Sequence, residues 1–211
     1  MAFSRWFCGD VSGAANDADA AIEAAVRVGY RRGEMIARHA AFFARHALME
    51  FDAARQHAEA ALALSRQINA RRFDTEALSF LAELYRLAGQ HTQAMAQAHE
   101  AVAVARETGM TFLGPFALGT LARVTDDAAV RAQALKEGAE LLRKGAISHN
   151  YFLFGRDAIE ACLDAGDWDG AERHAATLED YTRGEPLPLS DFYVARARAL
   201  VENARGGGPI L

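Results

Sequence analysis

The stretch Leu78-Ser-Phe-Leu-Ala-Glu-Leu-Tyr-Arg-Leu-Ala-Gly-Gln-His-Thr-Gln-Ala-Met-Ala-Gln-Ala-His-Glu-Ala101 decides the fold. Its first half sets Leu78, Leu81, Ala82 and Tyr85 three and four residues apart, on one face of a helix. Gly89 marks a turn. Ala94, Ala98 and Ala101 then place small residues along one face of a second helix, followed by Val102 and Val104. A face without bulk lets another helix approach closely, so the segment reads as a helical hairpin.

The small-residue pattern recurs in both directions. Ala54, Ala58 and Ala61, followed by Leu62 and Leu64, stand one unit earlier, and Ala18, Ile22 and Ala25 one unit before those. Ala134, Gly138 and Leu141 follow one unit later, and Ala171, Ala175 and Leu178 one unit beyond them. Second helices are therefore expected near 15–29, 52–68, 91–108, 128–144 and 168–183. First helices precede them at Leu118, Leu121 and Ala122, and at Gly155, Ala158, Ile159 and Cys162, with Gly166 at the turn. The match is poorer at Arg38, Ala41, Phe42 and Arg45. It is partial ahead of Ala18, where Trp6 stands at a small-residue position. Pro115 is expected near the start of a first helix, where its missing N–H costs little. Ser190 is a candidate N-cap for a last helix, Asp191 to Ala204. Residues 1–204 read as one repeat domain and 205–211 as a flexible tail. No run alternates as a half-buried strand does.

This spacing matches the tetratricopeptide repeat, whose standard unit is about 34 residues. The units here are longer, and the standard Trp and Pro are missing from their usual places. The expected fold is all-α, a tetratricopeptide-like α-solenoid built as a right-handed superhelix of antiparallel helix pairs. The rival is a non-repeating helical bundle whose alanines imitate a register.

The segment Ser148-His-Asn-Tyr-Phe-Leu-Phe-Gly-Arg-Asp-Ala-Ile-Glu160 runs into Ala165-Gly-Asp-Trp-Asp-Gly-Ala-Glu172. It continues through Tyr181-Thr-Arg-Gly-Glu-Pro-Leu-Pro-Leu-Ser-Asp-Phe192 to Ala195-Arg-Ala-Arg-Ala199. It resembles the C-terminal tetratricopeptide region of bacterial multidomain signalling proteins, in which an adenylate cyclase domain and a signal-transduction ATPase domain precede the repeats. The resemblance implies a regulatory or partner-binding region and no cyclase activity. It also implies that the chain is a fragment of such a protein or a short relative of one.

Composition narrows the function. The net charge of −5, with interspersed signs, is unlike the basic footprint of a nucleic-acid binder. No stretch has the length of a membrane span and no signal peptide opens the chain, so a cytoplasmic location is expected. Cys8 and Cys162 read as two reduced thiols in or near the core.

Chemical motifs are missing. No phosphate-binding GxxxxGK[ST] loop, HExxH, GxSxG or EF-hand spacing occurs. His39 and His46 are seven apart, and His91 and His99 share no ligand spacing, so no metal is expected. Asp164, Asp167, Asp169 and Glu172, like Asp126 and Asp127, fit helix starts better than a calcium site. The chain is therefore expected to be non-enzymatic and to need no cofactor.

A concave groove is the natural binding surface of stacked helix pairs. The register places Ile36, His39, Phe43 and His46 on it, then Glu76, Ser79, Glu83 and Arg86. Phe116, Gly119, Arg123 and Asp126 follow, then Leu153, Arg156, Glu160 and Leu163. The arginines could clamp a carboxylate or phosphate, or be used up in internal pairs such as Arg156 with Glu160. One of each adjacent aromatic pair, Phe42-Phe43 among them, is expected to reach the groove or a partner. The leading expectation is a scaffold that binds a peptide, a protein segment or another domain of its parent. A homodimer through exposed terminal repeats is a further possibility. The alternative is a small-ligand sensor using a pocket near Arg123, Arg156 and His149. Charge reversal at Arg123 and Arg156 is expected to abolish acidic-partner binding and leave the fold intact.

Overall fold

The structure is a computed structural model and describes residues 1–206. Most of the expected tail, residues 207–211, lies outside the described residues. Among the described residues there is no strand, and the chain is all-α. Its helices are α1 (Ala2–Phe7), α2 (Val11–Arg27), α3 (Arg31–Ala47), α4 (Phe51–Gln67), α5 (Asp74–Leu87), α6 (His91–Thr108), α7 (Met110–Val124), α8 (Ala128–Arg143), α9 (His149–Asp164), α10 (Trp168–Thr182) and α11 (Pro188–Gly206). The expected second helices are occupied by α2, α4, α6, α8 and α10. The first of these starts at Val11, ahead of residue 15, because the Asp10 carboxylate accepts from the Gly13 N–H and caps it.

The chain divides into two compact units, Met1–Gly109 and Met110–Leu211, where the sequence suggested one domain over 1–204. In the first unit α1 packs on α2, α2 on α3, α3 on α4, α4 on α5 and α5 on α6. In the second, α7 packs on α8 and on α9, α9 on α10, and α10 on α11. Turns of a few residues that return a helix onto its predecessor make the consecutive pairs antiparallel.

The turns share one device. After α5 the Gly89 N–H donates to the Arg86 carbonyl and the Gln90 N–H to the Tyr85 carbonyl, with Gly89 at φ +70°. After α9, Gly166 repeats this with the carbonyls of Leu163 and Cys162. This is the Schellman ending, which needs a left-handed residue just past the helix. After α3 the same bonds form around Met49, at φ +62°.

The small-residue positions seal the hairpins. Ala54, Ala58, Ala61, Ala94, Ala98, Ala101, Ala171 and Ala175 are all 0% exposed. Opposite them Leu78 and Leu118 are buried, each burial worth about 1.5–3 kcal/mol.

Four local expectations are corrected. The last helix begins at Pro188, two residues before Ser190, because a proline suits the first helical turn. Pro115 lies inside α7. It has no N–H for the Thr111 carbonyl, and the Ile147 N–H donates to that carbonyl instead (3.1 Å). Cys8 is exposed, whereas Cys162 is buried. Phe42 and Phe43 are both buried, since α3 is covered on two sides. Phe42 stacks on Phe80 of α5 (centroids 3.7 Å) and Phe43 packs against Trp6 of α1 (4.4 Å).

Candidate functional site

The predicted groove residues lie where first helices meet. In the first unit α3 and α5 run parallel, because successive positions of one meet successive positions of the other. His39 Nδ1 lies 2.7 Å from Glu76 Oε2, and one stretch further along His46 Nε2 lies 4.0 Å from Glu83 Oε1. Arg86 donates through Nε to Glu83 Oε2 (2.8 Å). His39, Phe43, Ser79 and Glu83 are buried in this seam. The positions that reach solvent are Ile36, 38% exposed, with His46, Glu76 and Arg86 half-buried.

In the second unit first helices also meet, along α7, α9 and α11, with α7 packed more closely on α9 than α3 is on α5. Asp157 is buried on α9. Arg156 Nη2 lies 2.7 Å from its carboxylate, Arg123 Nη1 of α7 lies 3.8 Å away, and Thr120 Oγ1 is 3.4 Å off. Glu160 is buried and accepts from Arg196 of α11. Burial pushes its carboxyl above the ordinary range, against the pull of Arg123 and Arg196. Phe116, Gly119 and Leu153 are buried, Leu163 is half-buried and Asp126 is exposed.

The register thus found the residues that join neighbouring first helices, and most of them face a seam instead of open solvent. The cause is width. A first helix covered on two sides buries a broader arc than the stripe about 100° wide of a helix with one partner. His39, Phe43, Glu83 and Glu160 are sealed by that covering. The structure brings Arg123 and Arg156 together on Asp157. His149 does not join them. It starts α9, where its Nε2 lies 3.1 Å from the Phe112 carbonyl, seven positions ahead of Arg156 and about 10 Å from it along the axis.

Sequence reasoning missed two recesses. One, in the first unit, is an open shelf of about 540 Å³ beside Phe73, over whose ring the guanidinium groups of Arg32 (5.6 Å) and Arg72 (5.1 Å) lie. Arg71, on the same shelf, is paired with Glu107 (2.6 Å). The other, in the second unit, is an apolar pocket of about 320 Å³ between α8, α9 and α10. Its signal was Gly155, a glycine at a position that holds leucine in two other repeats.

Among the described residues no cluster of His, Cys, Asp or Glu could hold a metal ion, and no helix is long and apolar enough to cross a membrane. Of the acidic residues near Trp168, Asp167 caps α10 by accepting from the Gly170 N–H (2.9 Å), and Asp169 and Glu172 pair with Arg205 and Arg198 of α11. Burial pushes the Cys162 thiol up to about 11, far from the range of a reactive thiolate.

The fold and the site define an all-α protein of packed helical hairpins. No family model matches the sequence, and no curated protein matches it.

Proposed function

We propose that each unit is a run of a tetratricopeptide-like α-solenoid and that the chain is a non-enzymatic interaction module, docking a protein or peptide segment along its first helices. The observation that carries this reading is the repeated seam. Equivalent positions of α3 and α5, and of α7, α9 and α11, meet in parallel through His39–Glu76, Arg123–Asp157 and Glu160–Arg196. A seam of that kind holds a row of first helices side by side and presents their outer positions, Ile36, His46, Arg86, Asp126 and Leu163, on one type of surface. The resemblance of residues 148–199 to the repeat region of bacterial cyclase and ATPase signalling proteins supports a regulatory role in the cytoplasm of such a cell, with a neighbouring domain or a separate protein as partner.

The test is site-specific photo-crosslinking with a photoreactive residue at Ile36 on α3 or at Glu59, which is exposed on the second helix α4. A discrete adduct from Ile36 and none from Glu59 is expected in a bacterial extract. Equal adducts from both sites, or none from Ile36, would refute first-helix docking.

A further inference from the structure

The repeat register marks a departure at the wall of the pocket in the second unit. Position 155 of α9 corresponds to Leu78 of α5 and Leu118 of α7, and both of those leucines are fully buried between their neighbours. At 155 the residue is glycine. The neighbours compensate in part. Leu178 of α10 stands where earlier second helices carry Ala61 and Ala101, and a Cβ on Gly155 would meet Leu178 at ordinary van der Waals distance, 3.5 Å. The exchange moves bulk from α9 to α10, and about 320 Å³ stands open beside it. That is the lower end of the range for small-molecule sites.

The walls are specific. Leu142, Phe154 and Leu178 give an apolar floor, and Tyr151 forms a fixed side. The Tyr151 ring stacks on Tyr181 (3.8 Å, 3° between planes) and its hydroxyl donates to the Leu142 carbonyl (2.9 Å). His174 stands edge-on to Phe154 (5.8 Å). Neither of its ring nitrogens has a hydrogen-bond partner among the described residues. Two guanidinium groups, on Arg143 and Arg173, reach solvent at the rim. Arg173 lies 3.8 Å from Asp167, and Arg143 has no ion pair among the described residues.

We propose that this pocket binds a small aromatic carboxylate, with its ring system on the Leu142, Phe154 and Leu178 floor and its carboxylate between Arg143, Arg173 and the imidazole of His174. The flat ring walls select an aromatic body. The two guanidinium groups select a carboxylate, which accepts their N–H donors in a planar fork. The size of the cavity suits an occupant of about one or two fused rings. The site does not depend on first-helix docking, because it lies among α8, α9 and α10 and uses none of the seam residues.

The experiment is calorimetric titration of the full chain with 2-naphthoate and with the uncharged 2-naphthamide. Saturable binding of the carboxylate, at least tenfold tighter than the amide, is expected. Arg143→Gln with Arg173→Gln should remove that preference and leave the amide unchanged. Gly155→Leu, which restores the leucine of two other repeats, should abolish binding of both. Ala139→Phe closes the same space from α8 and serves where Gly155→Leu fails to fold. Chemical shifts of the His174 ring should move on binding to the parent protein. No saturation by millimolar 2-naphthoate, equal affinity for the amide, or binding that survives both filling variants would overturn the proposal.

Discussion

The ring of Phe154 occupies the space that a side chain on Gly138 would need. Other repeats place alanines at both positions: Ala58 and Ala98 correspond to Gly138, and Ala77 and Ala117 to Phe154. The α8–α9 interface has concentrated its volume on one helix, Phe154 filling the space that Gly138 leaves. Gly138→Ala therefore sets two effects against each other. Helix propensity favours alanine by about 1 kcal/mol, and overpacking against a buried ring costs about 1–3 kcal/mol. We expect net destabilisation in urea unfolding. Coupling to Phe154→Leu should recover most of the loss in a double-mutant cycle. A single variant more stable than the parent would show that the interface is not packed as described.

Pro115 makes α7 depend on the start of α9. The buried Asn150 amide spans the rung that follows the proline, donating through Nδ2 to the Phe112 carbonyl (2.8 Å) and the Ile147 carbonyl (3.1 Å). It accepts from the Phe116 N–H through Oδ1 (3.4 Å). Asn150→Leu keeps the shape and removes these partners. Each buried group left unmet costs about 1–3 kcal/mol. The variant should unfold at lower urea, and the Phe116 amide should exchange faster by native-state hydrogen exchange. Unchanged protection at Phe116 would mean the amide does not support the rung.

Those two cases mark what the sequence could and could not reveal. The second helices were legible because two or three small residues per helix fix one face, and the close approach of a neighbour leaves those alanines little or no exposure. The identity of the groove was not legible. A period places His39, Phe43 and Glu160 on a face but does not say how many helices cover that face. The pocket was hidden for a similar reason. Gly155 broke the pattern at one position, and only the packing of Leu178 and Phe154 around it decides whether a missing side chain is refilled or left open.

Met49 is a non-glycine residue in the left-handed turn conformation that Gly89 adopts one repeat later. A β-carbon there costs about 1–2 kcal/mol. The side chain is 74% exposed, so its removal forfeits little burial. Met49→Gly should raise the urea midpoint by the equivalent of about 0.5–1 kcal/mol, the gain being reduced by the greater freedom of glycine in the unfolded chain. A lower midpoint would indicate that Met49 makes a contact worth more than its strain.

His174 ties stability to pH. Burial, reinforced by the Arg173 charge, pushes its imidazole down to about 4 from the ordinary 6.5. The unfolded chain takes up the proton first as pH falls. The contribution is therefore fully present above pH 6.5 and is lost as pH drops through about 4. Its size over that window is about 3 kcal/mol. His174→Phe should flatten the wild-type decline between pH 6.5 and 4 in urea midpoints measured at several pH values. An equal decline in both proteins would assign the acid sensitivity to other groups.

Asp157 decides how the arginines of the second unit can be tested. It is 2% exposed, with Arg156 at 2.7 Å and Arg123 at 3.8 Å. Reversing both arginines would surround a buried carboxylate with like charges, so that change tests the fold and not a partner, contrary to the reading from sequence. Asp157→Asn isolates the effect. It removes the carboxylate that the two poorly exposed guanidinium groups share, and breaking a buried pair in this way costs about 3–5 kcal/mol. A pair in water would lose about 0–1 kcal/mol and be masked by salt. The two cases separate in urea unfolding with and without molar sodium chloride. We expect a loss of several kcal/mol that salt does not repair. A loss no larger than that of a pair in water would mean that Asp157 is not the centre holding α7 to α9.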